Sequence, residues 1–333
     1  MKAMVLERRA PIESAPLRLL EVPDPEPSDG EVRVKVNVCA LCRTDLHVIE
    51  GDLPPVKLPV IPGHQVVGEI DKLGPGCKKL RVGQRVGIAW LRHTDGTCGY
   101  CRRGRENLCP NSRYTGYMAD GGYAEFATIP EDFAYELPEG FSDIAGSPLL
   151  CAGLIGYRAL QRASVPDGGK LLLIGFGSSA HIVIQLALHR GCRVFVVSRA
   201  EKHLKLSREL GAEWAGLSVE GIPEKMDSVI LFAPAGELVP DSLSVLDRGG
   251  ILSIAGIHLS DVPVLNYERH LFYEKEVRSV TANTREDGRA LLAEAVAANV
   301  QPHVHTFRLE EANEALLRMK RDGIEGTGVL LVR

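Results

Sequence analysis

The stretch that decides the fold is KLLLIGFGSSAHIVIQLALH, residues 170–189. A run of four apolar residues, 171–174, leads into Gly175 and Gly177, and an apolar periodicity typical of a helix follows at once. Strand, glycine turn and helix in that order form the dinucleotide-binding fingerprint. The first glycine permits a tight turn, the second lets backbone amides of the turn, Ser178 among them, approach a pyrophosphate at the positive helix end, and Ala180 is small enough for helix and strand to pack closely.

Working outward, the same alternation continues. Short apolar runs at 193–197, 228–232 and 251–255 are interleaved with helical stretches such as 201–210, which predicts a doubly wound parallel sheet. A cofactor with a free ribose 2'-hydroxyl usually meets an acidic residue at the end of the second strand, roughly 20 residues after the glycines. Ser198 and Arg199 stand there instead, a hydroxyl and a guanidinium fork suited to a 2'-phosphate. NADP(H) is therefore favoured over NAD(H); the alternative is that Arg199 merely stacks on the adenine with NAD(H) bound.

The first 150 residues read differently. Gly, Pro and short β-branched runs at 31–38, 66–73, 85–89 and 123–129 describe an irregular β-rich domain. With 333 residues, 45% of them hydrophobic, the chain is long enough for two cores. A net charge of -4 with scattered basic residues excludes a nucleic-acid footprint. The apolar runs are strand-length and the N-terminus MKAMVLERRA lacks a signal segment, so no membrane partner is expected and the setting is cytoplasmic. Eight cysteines in that setting point to metal rather than disulfides.

Two constellations could hold metal. In DGTCGYCRRGRENLC, Asp95, Cys98, Cys101 and Cys109 are spaced so that one loop wraps four ligands around an ion, the pattern of closed, structural, tetrahedral zinc. A water could also complete that shell, leaving Asp95 as a turn residue. The second set is dispersed: Cys42 in CALCRTDLH, His64 in PGHQVVGE and Cys151 in PLLCAG. Alone, each reads as a packed core residue.

Taken in order, CRTDLH, PGHQVVG, the cysteine lobe ending ENLCPN, TGYMADGGYAEF, PLLCAG and GFGSSAH resemble the zinc-dependent medium-chain alcohol dehydrogenases from end to end. The resemblance implies a GroES-like catalytic domain over 1–152, completed by 290–333, and a Rossmann domain over 153–289. It implies that Cys42, His64 and Cys151 hold a catalytic zinc with one position open for substrate. It places Thr44 beside the bound oxygen, at the start of a proton relay ending on His47, and Arg43 on the cofactor pyrophosphate. Asp45 would accept a bond from the His64 ring and fix its tautomer. On the residues alone, Thr44 also suits a helix cap, His47 and Arg43 an exposed surface, and Asp45 a helix first turn. Trp90, Leu149 and Leu150 are expected around an apolar pocket, or in the core. The expected activity is reversible hydride transfer between a primary or secondary alcohol and NAD(P)+, giving an aldehyde or ketone, in a homodimer or homotetramer.

One departure stands out. Relatives usually carry Glu after the zinc-binding His, whereas this chain has Gln65, a weaker ligand; Glu69 is the nearest acid in sequence. A zinc-free quinone or enone reductase shares the fold, but needs none of Cys42, His64 and Cys151. A catalytically silent dinucleotide-binding protein is the other alternative.

Overall fold

The computed structural model describes residues 1–54, 56–256 and 259–333. The chain forms two compact units, one comprising Met1–Ala152, Ala282–Val296 and Pro302–Arg333, the other Gly153–Thr281 and Ala297–Gln301.

In the second unit a six-stranded, wholly parallel sheet runs Trp214–Gly216, Arg193–Val197, Lys170–Ile174, Met226–Leu231, Leu246–Ile254, Glu276–Ser279. Leu171, Leu172, Leu173 and Ile174 are all buried. Both faces of that strand are covered, which is why it reads as an unbroken apolar run. The helix Ala180–His189 packs its apolar residues inward, with Ile182, Val183, Ile184 and Leu186 fully buried. Because the first strand lies between the second and the fourth, the order reverses at its carboxyl end, where α/β sheets bind ligands. Gly175 occupies that point.

The first unit is built on a seven-stranded mixed sheet. Its central strand, Glu31–Ala40, alternates: Val32, Val34 and Val36 enter the core while Arg33 and Lys35 face outward. The final strand, Thr327–Leu331, pairs antiparallel with the end of that strand, Val329 opposite Ala40. It pairs in parallel with Val304–Arg308 on its other side. The C-terminal segment thus completes the N-terminal sheet.

The boundary between units differs from the expected 289/290. The chain re-enters the first unit at Ala282, so residues 282–289 belong with the catalytic unit, and 297–301 return to the second. Gly288 explains the early return: an added Cβ there would lie 2.2 Å from the Tyr135 ring, so only glycine lets the helix Arg285–Ala297 seat on it. Asn283 Nδ2 also donates to the Tyr135 hydroxyl at 3.2 Å. Gln301 N in turn donates to Gln185 Oε1 at 2.8 Å, tying the short excursion to the second unit.

Candidate functional site

Cys42, in extended backbone, starts the helix Arg43–Glu50: its Sγ accepts from Thr44 N at 3.4 Å, and Asp45 reaches back to Cys42 N at 2.9 Å. The cap is therefore Cys42 and not Thr44, whose buried side chain places Oγ1 3.5 Å from Cys42 Sγ. His64 follows Gly63, whose φ of +94° and approach to Tyr123, 2.3 Å from a would-be Cβ, exclude a side chain. Cys151 ends the turn Ser147–Leu150.

These three elements bring the Cys42, His64 and Cys151 ligand atoms within 4.8 Å of one another. The Cys42 and Cys151 sulfurs lie 3.7 Å apart. A tetrahedron with Zn–S arms of about 2.3 Å has an edge of about 3.8 Å, so the sulfurs already stand at zinc-ligand separation. His64 is fully buried, and its Nε2 has no hydrogen-bond partner. A buried polar atom without a partner is costly unless something else occupies it.

The opposite ring nitrogen is fixed. His64 Nδ1 bonds Asp45 Oδ1 at 3.0 Å, while Asp45 Oδ2 accepts from Cys42 N and, at 2.8 Å, from the Tyr123 hydroxyl. Asp45 is 1% exposed, with all its bonds directed at this cluster. Burial lowers the basicity of His64, but the charge and hydrogen bond of Asp45 outweigh it and push the imidazole up to about 10. The Cys42 thiol is held well below its ordinary value, chiefly by the hydrogen bond from Cys151, whose own thiol is pushed up. Metal ions take thiolates and neutral imidazole as ligands, so an ion bound here would replace protons held within this cluster.

The surrounding residues divide. Trp90 meets the His64 ring edge-on with centroids 4.9 Å apart and stacks on Tyr114 and Tyr117. Leu149 and Leu150 are both buried, and Leu150 fills the space over Gly87. Glu69 faces solvent. Arg43 is exposed, and His47 Nδ1 bonds the Asp52 carboxylate at 2.7 Å. Sequence reasoning missed Asp52 and Tyr123. Their signals were an acid just beyond the Gly51 helix stop, and a tyrosine directly after the paired Gly121 and Gly122.

In the lobe, the ligand atoms of Asp95, Cys98, Cys101 and Cys109 also lie within 4.8 Å of one another. Backbone amides point at the sulfurs, Asp95 N to Cys109 at 3.4 Å and Cys101 N to Cys98 at 3.5 Å. Asp95 is held well below the usual carboxylate range by the Cys98 amide, the Asn111 side chain and the Thr97 amide. Glu106, inside the lobe, makes a forked salt bridge to Arg285 with a shortest distance of 2.7 Å.

In the second unit Gly175 has φ +87°, and a Cβ there would meet Ala233 N at 2.8 Å. Gly177 is exposed with nothing within 4 Å of its Cβ position, so the fold itself does not demand glycine there. Such open space beside a helix start suits the close approach of a phosphate. Ser178 lies in the same turn. Arg199 is exposed at the end of the second strand, while Ser198 is buried with Oγ 3.3 Å from His203 Nδ1.

Residues 28–139 match the alcohol dehydrogenase GroES-like domain and residues 180–297 the zinc-binding dehydrogenase domain. The chain belongs to the zinc-dependent medium-chain alcohol dehydrogenases, whose reaction exchanges a hydride between an alcohol and its carbonyl partner. It is 50% identical to a probable alcohol dehydrogenase of Mycobacterium tuberculosis, spanning 100% of this chain and 97% of that one. An alcohol dehydrogenase of Geobacillus stearothermophilus is 36% identical across 95% of this chain and 96% of its own. Among solved structures, a cinnamyl alcohol dehydrogenase from Sorghum bicolor superposes with a TM-score of 0.90 at 26% identity, covering 99% and 97% of the two chains.

Proposed function

We propose that this alcohol dehydrogenase holds a catalytic zinc at Cys42, His64 and Cys151 and a structural zinc at Asp95, Cys98, Cys101 and Cys109. The observation that carries the reading is the buried His64 Nε2, without a hydrogen-bond partner and grouped with two sulfurs at 3.7 Å separation. Zinc supplies Lewis acidity that brings hydroxyl ionisation towards neutral pH, and the nicotinamide ring supplies the hydride acceptor.

The chain's own residues do the rest. Asp45 keeps the His64 proton on Nδ1, leaving Nε2 free to ligate. Thr44 and His47 carry the substrate proton outward, with Asp52 fixing the His47 ring. Trp90 presents apolar surface beside His64, in keeping with a small alcohol or aldehyde. Gly175, Gly177, Ser178 and Arg43 hold the cofactor pyrophosphate, and Ser198 and Arg199 favour NADP(H) over NAD(H).

All eight cysteines are free thiols, which fits a cytoplasmic setting. Assembly into a homodimer or homotetramer is supported by the open edge strand Glu276–Ser279 and the exposed Tyr267, Phe272 and Tyr273 beside it in sequence, and sedimentation velocity tests it. The central experiment combines metal analysis with a panel of alcohols and aldehydes assayed with NAD(H) and NADP(H). Two zinc ions per chain and NADP(H)-dependent alcohol turnover are expected. Metal-free protein that reduces enone double bonds would overturn the reading.

A further inference from the structure

The side chain directly after His64 is wholly buried and engaged on both ends. Gln65 Nε2 donates to Leu41 O at 2.9 Å, and Gln65 Oε1 accepts from Ala152 N at 3.2 Å. Leu41 precedes Cys42, Ala152 follows Cys151, and Gln65 itself follows His64. One amide therefore joins the backbones of all three ligand-bearing segments, which are separated by 19 residues between Asp45 and His64 and by 109 between Cys42 and Cys151.

The two backbone groups it meets are of opposite kind, a carbonyl oxygen that needs a donor and an amide N–H that needs an acceptor. Glutamine supplies both from one planar group. An ionised glutamate could serve Ala152 N but would turn a second oxygen towards the Leu41 carbonyl, leaving that carbonyl unpaired and repelled. The Leu41 backbone is held on its other side as well, its N–H donating to Gly328 O at 2.8 Å. Because Gln65 opens the strand Gln65–Leu73, opposite Ala40, its Cα is fixed by the sheet and the side chain has little freedom to leave.

We propose that Gln65 is a positioning residue that pre-assembles the Cys42, His64 and Cys151 set through Leu41 and Ala152, slowing metal loss, and that its amide is committed to backbone rather than held in reserve as a ligand. The inference rests on the zinc reading above. It accounts for an amide in place of a carboxylate after His64: the donor end is in use.

The test is zinc release from purified holoenzyme to a chromophoric chelator, for wild type, Gln65→Met and Gln65→Glu. The lobe phase is identified as the one that persists in Cys151→Ser. Gln65→Met, of similar length but unable to pair with either backbone group, is expected to speed the catalytic-site phase by about 10- to 100-fold, the usual cost of removing a group that orients ligands. Gln65→Glu, which keeps only the acceptor, should fall between wild type and Gln65→Met. The lobe phase should be unchanged in both, and cobalt-substituted Gln65→Met should show shifted d–d absorption. Should Gln65→Met fail to hold metal through purification, Gln65→Glu carries the comparison alone. Release within twofold of wild type in the variants overturns the proposal. So does equal acceleration of both phases, which would mark a general loosening of the fold. A wild-type chain releasing fewer than two zinc ions refutes the zinc reading instead.

Discussion

Asp45→Asn removes one charge and replaces an acceptor oxygen with an NH2 donor at a carboxylate that the His64 ring, the Cys42 amide and the Tyr123 hydroxyl all share. Asp45 accepts three hydrogen bonds, from His64 Nδ1 at 3.0 Å, Cys42 N at 2.9 Å and Tyr123 Oη at 2.8 Å. Asparagine can satisfy these groups in only two ways. With its NH2 towards His64, Nδ1 becomes the acceptor and the ring proton moves to Nε2, the nitrogen expected to ligate. With its NH2 towards Cys42 N and Tyr123, a buried backbone N–H loses its acceptor, at a cost of about 1–3 kcal/mol. Either arrangement weakens the ligand set, by about 10- to 100-fold in metal affinity, or about 1.4–2.7 kcal/mol. Competition with a chelator of known affinity, followed by metal analysis, measures it. Wild-type affinity in Asp45→Asn, with the protein fully folded, would refute the tautomer argument.

Tyr123→Phe deletes one donor to the same carboxylate without changing shape, and should cost about 1.5–3 kcal/mol in denaturant unfolding, as for hydrogen bonds to charged groups. A loss below about 0.5 kcal/mol would show that the hydroxyl contributes nothing. Arg199→Asp should lower the ratio of kcat/KM for NADP(H) to that for NAD(H) by at least about tenfold, equivalent to about 1.4 kcal/mol; an unchanged ratio removes Arg199 from cofactor selection. Burial alone would raise the Glu106 pKa, but the hydrogen bonds and charge of Arg285 outweigh it and the carboxyl sits below its usual range. Its contribution to stability is then fully present above the unfolded value of about 4.3 and fades as pH falls through the lower folded value. Thermal unfolding of Glu106→Gln against wild type should show a deficit at pH 7 that shrinks below about pH 4; a constant deficit would exclude the ion pair as its source.

Much of the fold could be read from local pattern because local chemistry imposes it. The run 171–174 is apolar throughout since side chains on both faces of the strand are buried, and Gly175 is glycine since its φ is positive and Ala233 crowds it. The cysteine lobe is similarly local, with Asp95, Cys98, Cys101 and Cys109 brought together within one loop. The bonds that organise the dispersed site are not local. Tyr123 meets Asp45 across 78 residues and Gln65 meets Ala152 across 87, and nothing in the flanking sequence of either announces a partner. The return of the chain at Ala282 was hidden for a related reason. A helix with one apolar face reads the same whichever unit it packs on, and the fit of Gly288 against Tyr135, with the bonds of Asn283 to Tyr135 and of Arg285 to Glu106, holds it on the first unit.

The pairing of Thr327–Leu331 with the end of Glu31–Ala40 sets a schedule for biosynthesis. A ribosome delivers the chain in order at about 5–20 residues per second, so the N-terminal sheet is translated early yet keeps an open edge at Val38, Cys39 and Ala40 until Thr327–Leu331 emerges. That edge leads straight into Leu41 and Cys42, whose backbone waits on Gly328 for one of its bonds. A nascent chain stalled before Thr327 therefore carries Cys42, His64 and Cys151 without the strand that seats the first of them.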